Sequence, residues 1–361
     1  MVLNKSIQLL TVFLTFSITL SANAAPIKIG VIAPLTGDTA AWGESGRNGA
    51  ELALARLPKD IKKQITIIYE DDQQEPSAAV TAFKKLTEQD GVTAVISFAS
   101  NTSKAIAPLA DQKKVPVIAI ASDAEVVKGR SYVVNLWVTP EEEMKVLVPE
   151  LSRRGFKNIA RISATHVFNL ALRDTLDMAN QGNFSLLIDE EYPVETKDFR
   201  PFLIKVKNLK KVEAIYVNLF FGQTGLFAKQ ARQLGVKLPL IGVETFEDPN
   251  DVKLSEGALF GQWYIQADDA SSDFVKLYQE KFPGKSIYAA ANIYDSVNLI
   301  ALAIKNGTGT TEGINNAIHS VKDFSGALGH YSSTEDNKFT LPATVKVVTK
   351  NGFEKLEDLK S

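Results

Sequence analysis

Few side chains in this sequence are of the types that carry out covalent chemistry. The chain contains no cysteine, which excludes disulfides, thiolate metal sites and cysteine nucleophiles. Its three histidines, His166, His319 and His330, are too few for an imidazole-rich metal centre. His166 follows a predicted strand, where sites of α/β proteins form, but no nucleophile accompanies it. We therefore interpret His166 as a residue of a cleft wall or of the surface and not as a general base.

Two local patterns resemble cofactor or metal sites without meeting their requirements. Residues 307–313 (GTGTTEG) have glycines spaced one residue too far apart for a dinucleotide fingerprint, and they follow a helical pattern instead of a strand. The run Glu70-Asp71-Asp72 offers oxygen ligands for a cation, but solvated acidic turns are far more common. Neither a phosphate-loop motif nor G-x-S-x-G occurs. The sequence therefore predicts no cofactor, no metal and no catalytic residue.

Hydroxyl and amide side chains are concentrated where strands of the first half are predicted to end. Ser100, Asn101 and Thr102 follow one strand, and Ser122 and Asp123 follow the next. In open α/β sheets, ligands bind beyond the carboxyl ends of the strands. Hydroxyls and the free amides of a helix start suit a carboxylate or another small anion. The first half of the chain therefore predicts an anion-binding end of a ligand site.

Aromatic rings and one acid occupy the corresponding positions of the second half. Phe168, Phe220 and Phe221 follow predicted strands there, and Glu244 follows the last of them. Rings suit an apolar ligand body, and the acid suits an ammonium group. Because successive side chains of an extended chain point to opposite sides, we expect only one of Phe220 and Phe221 to face the cleft. This set of residues predicts a protein that binds its ligand without converting it.

A strand–helix alternation that runs through the chain twice positions these residues. Strands are predicted over residues 27–33, 65–69, 94–97 and 117–120, then over 158–162, 186–192, 214–218, 240–243 and 345–349. Patterns of spaced apolar residues predict the helices between them and three more over 271–281, 288–305 and 311–321. This alternation indicates parallel sheets covered by helices on both faces. We therefore predict an α/β protein with two doubly wound lobes.

Composition supports a globular protein that does not bind nucleic acid. The 361 residues include 40 basic and 42 acidic side chains, a formal net charge of −2. A surface that follows phosphates needs a clear excess of Lys and Arg. The apolar fraction of 45% is that of an ordinary folded protein, and the length favours about two domains.

Residues 1–24 have the pattern of a secretory signal peptide. Lys5 supplies the positive charge, residues 7–20 the apolar stretch, and Ala22-Asn23-Ala24 the small-residue cleavage pattern. The stretch is too short for a membrane span, which takes roughly 20 apolar residues. We expect export with cleavage after Ala24 and, because cysteine is absent, no lipid anchor.

The combined motifs of the chain resemble a known family. The runs IKIGVIAPLTGDTAAWGESGRNGAELA, YEDDQQEPSAAV and VPVIAIAS, with Tyr288-Ala-Ala-x-x-x-Tyr294-Asp295, are similar to the branched-chain amino-acid-type (Leu/Ile/Val-binding) periplasmic substrate-binding proteins of ABC transporters. The resemblance implies a type I periplasmic-binding-protein fold, in which three crossing strands join two lobes that close on a ligand by hinge motion. It places residues 25–137 and 267–330 in lobe 1, and residues 138–266 and 331–361 in lobe 2.

The resemblance also implies roles for individual residues. Ser100 matches the family's ligand-binding hydroxyl, Ala121 its ligand-facing backbone position, Trp42 its aromatic near the N-terminus and Glu244 its acid for the ligand ammonium. Asn101, Thr102 and Ser122 lie on the same strand ends and complete the first-lobe set.

Three positions depart from the family pattern. Asp123 stands where the family has a carboxylate-binding threonine, and Phe168 and Phe220 stand where it has two tyrosines. Tyr288 is the substitute for an aromatic residue that falls at or beside Ala289. Trp42, Phe168 and Phe220 favour a larger or more aromatic ligand than leucine, whereas Glu244 still favours an amine.

The resulting hypothesis is an exported, monomeric, periplasmic solute receptor. It captures an amino acid or a related small carboxylate or amide and delivers it to an inner-membrane ABC permease. One alternative is a sensor lobe of the same fold that passes ligand occupancy to a signalling partner. Another is an enzyme with this fold, which would require a base–nucleophile pair in the cleft.

Overall fold

The computed structural model describes residues 26–37 and 39–356, which fold into two α/β lobes. The predicted signal peptide, residues 1–24, lies outside this range. None of the helices within the described residues is long and apolar enough to cross a membrane.

Lobe 1 is built from two separate stretches of the chain. The first stretch contains β1 (Ile27–Ala33), α1 (Ala40–Arg56), α2 (Lys59–Lys62), β2 (Ile65–Asp71), α3 (Pro76–Lys84), a π-helical turn (Lys85–Asp90), β3 (Ala94–Phe98), α4 (Ser100–Lys113), β4 (Val117–Ile120), a 3₁₀ turn (Ala124–Val127) and β5 (Val133–Asn135). Its five strands form a parallel sheet in the order β2-β1-β3-β4-β5.

Lobe 2 follows in the chain and contains a larger, mixed sheet. Its elements are α5 (Pro140–Arg153), β6 (Asn158–Ala164), α6 (Val167–Asn180), β7 (Ser185–Tyr192), α7 (Arg200–Asn208), β8 (Ala214–Asn218), α8 (Thr224–Gln233), β9 (Leu240–Gly242), a 3₁₀ turn (Glu244–Glu247), α9 (Pro249–Leu254) and β10 (Trp263–Ala267).

The chain then returns to lobe 1 and ends in lobe 2. The returning stretch contains α10 (Ser272–Lys281), α11 (Ala290–Lys305), α12 (Thr311–His319) and the hairpin β11 (Phe324–Gly326) and β12 (Gly329–Tyr331), and the last strands are β13 (Ala343–Val348) and β14 (Phe353–Lys355). The sheet of lobe 2 has the order β14-β13-β10-β9-β8-β6-β7, with β13 antiparallel to β10.

The apolar strands separate two core layers in lobe 1. Successive side chains of a strand point to opposite faces. Accordingly, Ile29 and Val31 of β1 pack in one cluster with α1 and α11, while Ile32 packs in another with α3 and α4. Because both faces of β1 are buried, its sequence is a nearly continuous run of apolar residues. The predicted doubly wound α/β architecture is confirmed.

The structure places the third crossing between the lobes later than residue 330. Tyr331, Phe339 and Leu341 belong to the same core cluster as Ile29 of lobe 1. The chain joins the sheet of lobe 2 only with β13, whose Ala343 pairs with Ala267 of β10. On this evidence lobe 1 extends to about residue 342, because apolar side chains beyond the hairpin complete its core.

Helix α1 lies unusually close to α11, and glycines make this approach possible. A Cβ on Gly49 would lie 2.2 Å from the backbone oxygen of Ala290, and one on Gly46 would lie 2.5 Å from Cδ1 of Ile293. The first neighbour is fixed backbone, whereas the second is the end of a side chain. The two glycines therefore differ in what a methyl group would displace.

We expect Gly49→Ala to lower the free energy of unfolding by about 1–3 kcal/mol, because overpacking forces the two helices apart. Gly46→Ala is the matched control. Ile293 can rotate away there, and alanine gains about 1 kcal/mol of helix propensity over glycine, so we expect little net change. Urea unfolding of both variants measures this difference. Equal stability of the two variants would contradict the account.

Candidate functional site

The carboxyl ends of strands from both lobes face a cavity of about 180 Å³. Its location is that expected for a ligand site in open α/β sheets. Among the described residues, lobe 1 contributes the larger number and lobe 2 the only acid of the wall. The lining residues are Trp42, Gln74, Phe98, Ala99, Ser100, Asn101, Ile120, Ser122, Trp137 and Tyr288 from lobe 1, and His166, Phe220, Phe221 and Glu244 from lobe 2.

Helix α4 presents its N-terminus to this cavity. Ala99 precedes the 14-residue helix with a φ of 79°, a conformation that costs a non-glycine residue about 1–3 kcal/mol. The backbone N–H of Ala99 donates to the oxygen of Ile120 at 3.0 Å, which ties the turn to β4. The strained turn thus directs the first free amides of the helix and the side chains of Ser100 and Asn101 toward the cavity. This end of the site has the chemistry to hold an anion.

A group of aromatic rings forms the wall of lobe 1. The ring of Tyr288 lies 5.3 Å from Trp42, 5.9 Å from Trp137 and 6.1 Å from Phe98, measured between ring centroids. The carbonyl of Tyr288 accepts a hydrogen bond from the Ser45 hydroxyl at 2.5 Å. This bond fixes the turn that carries Tyr288 against α1, so the aromatic wall is held by the core of lobe 1.

A second aromatic wall comes from lobe 2. His166 stacks on Phe220 with ring centroids 4.2 Å apart, and Phe220 contacts Phe221 edge-on at 5.4 Å. The Nδ1 atom of His166 is buried without a hydrogen-bond partner, and burial lowers the pKa of this histidine. His166 is therefore an apolar-like element of the wall at neutral pH.

Phe220 and Phe221 both line the cavity, so the prediction that only one would do so is wrong. The prediction assumed an extended backbone after β8. Instead the chain turns: the N–H of Gln223 donates to the oxygen of Phe220 at 3.0 Å, and the N–H of Phe220 donates to Oε1 of Gln223 at 3.1 Å. A turn removes the alternation of side chains on which the prediction depended.

Glu244 supplies the buried negative charge of the site. It begins the 3₁₀ turn after β9, and it is only 8% exposed. Burial raises the pKa of Glu244 to about 7, and the nearby charge of Glu247 contributes in the same direction. Within the described part of the chain, no group donates a hydrogen bond to its carboxylate. An ionised Glu244 is therefore a desolvated anion that lacks a partner from the protein.

Thr102 and Ala121 do not line the cavity, although both were predicted site residues. Thr102 is buried in the first turn of α4, and its hydroxyl donates to the oxygen of Phe98 at 2.7 Å. Both backbone groups of Ala121 are engaged by the side chain of Asn135, at 3.2 and 2.8 Å. These internal hydrogen bonds engage the hydroxyl of Thr102 and both backbone groups of Ala121 within lobe 1.

Asp123 and Phe168 also lie elsewhere. Asp123 is 3% exposed, and its carboxylate accepts from the N–H of Glu125 at 2.9 Å and from Lys104 Nζ at 2.8 Å. Phe168 packs in the core of lobe 2, in the cluster that contains Leu172. The structure therefore engages the carboxylate of Asp123 in a cap and an ion pair, and it uses Phe168 for packing.

The remaining predicted residues are brought together: Trp42, Ser100, Asn101, Ser122, Phe220, Glu244 and Tyr288. The sequence did not predict Gln74, Phe98, Ala99, Ile120 and Trp137 as site residues. Phe98 and Ile120 end buried strands, which gave them the appearance of core residues. Trp137 follows β5, a strand of three residues that the sequence analysis did not predict.

Larger cavities are also present. One of about 470 Å³, between α2, α10 and α11, draws its lining from lobe 1 alone. Another of about 430 Å³ adjoins the candidate site and shares Trp137 and Tyr288 with it, but its lining does not include the N-terminus of α4. The smaller cavity between the lobes is the better candidate, because it combines strand ends of both sheets with a buried, unpaired acid.

Comparison with known proteins agrees with this architecture. Residues 26–352 match the family described as periplasmic binding protein. A Leu/Ile/Val-binding protein of Rhizobium johnstonii is 24% identical over 353 residues, which cover 88% of this chain and 89% of that protein. A homologue of such proteins from Brucella melitensis is 25% identical over 339 residues, covering 90% and 91% of the two chains.

Solved structures show the same fold. A leucine-binding protein from Thermotoga maritima has a TM-score of 0.78 and 23% identity, covering 92% of this chain and all of the other. A solute-binding protein of an ABC transporter from Rhodopseudomonas palustris, in complex with 3,4-dihydroxybenzoic acid, has a TM-score of 0.75 and 23% identity, covering 91% and 96%. The expected type I fold and the family resemblance are confirmed: the chain belongs to the periplasmic binding protein family.

Proposed function

We propose that the protein binds a small zwitterion, an amino acid or a close analogue, in the cavity between its lobes and delivers it to an ABC permease. The observation that carries this proposal is Glu244, a buried carboxylate without a protein partner, in the cavity that also receives the N-terminus of α4. The two ends of the cavity have opposite electrostatic character, as the two ends of a zwitterion do. Among the described residues of the wall, His166 packs on Phe220 and its buried Nδ1 has no hydrogen-bond partner, which supports a role in binding.

The ligand carboxylate is assigned to the lobe 1 end. The amides of the first turn of α4 are free donors with the positive end of the helix dipole behind them. The hydroxyls of Ser100 and Ser122 lie 3.2 Å apart at this end and can add further donors. Asp123 does not repel a carboxylate here, because its own charge is paired with Lys104.

The ligand ammonium is assigned to Glu244. Removing a carboxylate from water costs several kcal/mol unless a cation and hydrogen bonds replace its hydration. A bound ammonium supplies both. The ammonium would therefore form an ion pair with the carboxylate of Glu244.

The ligand body is assigned to the space between the two aromatic walls. Trp42 and Tyr288 on one lobe and Phe220 on the other favour a flat ring or a large aliphatic side chain. Two comparisons support this range: relatives named for Leu, Ile and Val, and a structural neighbour bound to 3,4-dihydroxybenzoic acid. We infer an exported, periplasmic monomer, because the family is periplasmic and residues 1–24 have the signal pattern.

A thermal-shift screen tests the function directly. The set should contain L-leucine, L-phenylalanine, benzoate, 4-hydroxybenzoate and short amides. A ligand at 100 times its Kd adds about 2.7 kcal/mol of stability, enough to raise Tm by several degrees. We expect shifts with α-amino acids. Shifts only with acids that lack an amine would contradict the assignment of Glu244.

Glu244→Gln should weaken binding of the amino-acid ligand by about 1.5–3 kcal/mol, because it removes a charge-assisted hydrogen bond to the ammonium. Asp123→Asn is the matched control. It removes one negative charge from a residue near the cavity that is paired with Lys104, and we expect unchanged affinity. Isothermal titration calorimetry measures both variants. Loss of affinity in Asp123→Asn, or none in Glu244→Gln, would refute the assignment of the ammonium.

Binding should also depend on pH in a direction that reports the ligand's charge. The pKa of Glu244 is raised to about 7, so the carboxylate is ionised above that pH and neutral below it. Affinity for an ammonium ligand should therefore reach its maximum near about pH 8. Below about pH 6 it should fall by a factor that approaches about tenfold per pH unit. A carboxylate ligand without an amine should bind better as the pH falls. Calorimetric Kd values across this range decide between the two slopes.

A further inference from the structure

Lys346 is a buried cation that contacts the turn carrying Glu244. It lies on β13, is 5% exposed, and contacts two carboxylates: Nζ is 2.8 Å from Oε1 of Glu247 and 2.6 Å from Oδ1 of Asp269. Burial acts to lower the pKa of this lysine, but the two carboxylates outweigh it, so the pKa is raised. Lys346 is therefore charged at neutral pH.

One of these carboxylates belongs to the turn that carries Glu244. Glu247 ends the same 3₁₀ turn, so the two acids are three residues apart and electrostatically coupled. Oε1 of Glu247 also accepts from the hydroxyl of Tyr264 at 2.7 Å. Glu247 is thus held by a cation and a hydroxyl, whereas Glu244 has no hydrogen-bond or ion-pair partner among the residues that the structure describes.

The other ionisable groups around Glu244 do not replace Lys346. Glu143 on α5 is buried, and burial together with the charge of Glu244 raises its pKa well above the usual range; it is an acid and cannot offset a negative charge. Burial and both acids of the turn raise the pKa of Tyr288, which stays neutral. His166 across the cavity has a pKa lowered by burial. Among the described residues that face this turn, Lys346 is therefore the cation that offsets its acids.

The second partner of Lys346 lies at the hinge. Asp269 follows β10 in the segment that crosses from lobe 2 to lobe 1, and the N–H of the preceding Asp268 donates to the oxygen of Pro342 at 2.9 Å, just before β13. Lys346 therefore joins the turn of Glu244 to a crossing segment on which lobe closure would depend.

We propose that Lys346 is a positioning residue that offsets part of the charge of Glu247 and thereby favours the ionised form of Glu244, the carboxylate that faces the ligand. The effect of Lys346 on the ionisation of Glu244 does not depend on which ligand the protein binds. Its consequence for affinity rests on the proposed function, in which Glu244 receives an ammonium. Without Lys346, the charge of Glu247 would act on Glu244 uncompensated, and like charges disfavour ionisation of a neighbouring acid.

The ligand-free protein, labelled with ¹³C at the glutamate carboxyl carbons, provides the first test. Glu244→Gln assigns the Glu244 resonance, and its titration midpoint is followed by NMR in each variant. We expect Lys346→Met to move the midpoint upward by about one pH unit. The double variant Lys346→Met/Glu247→Gln should bring it back to the wild-type value or below, because residue 247 then carries no charge to act on Glu244. Lys346→Arg should preserve it.

Lys338→Met is the control for the loss of a bridging lysine. Lys338 also contacts two carboxylates, Glu141 and Asp336, at 3.1 and 3.0 Å, but it does not contact the turn of Glu244. Its removal should leave the midpoint unchanged. Should Lys346→Met fail to fold, Glu247→Gln alone tests the same link and should lower the midpoint. An unchanged midpoint in Lys346→Met, or no return in the double variant, would overturn the proposal.

Affinity for L-leucine and L-phenylalanine gives the second readout. A midpoint raised from about 7 to about 8 lowers the ionised fraction at pH 7 from about one half to about one tenth, so Kd should rise about fivefold and recover in the double variant. If the midpoints move as expected but neither amino acid binds, the proposed function fails and this inference stands. If amino acids bind through Glu244 but the midpoints do not move, only this inference fails.

Discussion

The candidate site is organised around one electrostatic constraint, a carboxylate buried between two lobes without a cation of its own. Glu244 is removed from water by the walls of the cavity, and no described donor replaces that hydration. Such a group either takes up a proton or finds a partner. Its pKa of about 7 means that the protein is balanced between these two states near neutral pH. In the proposed function, a ligand ammonium group would be that partner, and in the role proposed for Lys346 its charge would limit the effect of the neighbouring Glu247 on Glu244.

The two-lobe architecture separates the charges that a zwitterion needs. Helix α4 directs its N-terminus into the cavity from lobe 1, while the turn of Glu244 approaches from lobe 2. In the proposed complex, the ligand would therefore contact both lobes at once, and its differential affinity for the closed arrangement would favour closure. Trp42 and Tyr288 on one side and Phe220 on the other would cover the body of the ligand. Placing the charges on different lobes is thus what would couple binding to hinge motion.

The sequence predicted the fold well and the site only in part. Continuous apolar runs identify parallel strands such as β1, because such strands are buried on both faces. The five-residue strand β10 was missed, since a short apolar run has no distinctive period. Side-chain orientation was harder still: Phe168 turns into the core of lobe 2, and Ala121 is held by Asn135 on the unpredicted β5. These outcomes depend on contacts between distant segments, which local patterns do not contain.

The central claim is that Glu244 receives an ammonium group, and paired ligands that differ only in that group test it most directly. Calorimetry at about pH 8, where Glu244 is mostly ionised, would compare L-phenylalanine with 3-phenylpropionate and L-leucine with 4-methylpentanoate. The account predicts that the amino acid of the better-fitting pair binds at least about tenfold more tightly than its deaminated analogue, the value of one charge-assisted hydrogen bond. Equal or tighter binding of the deaminated acids would contradict it.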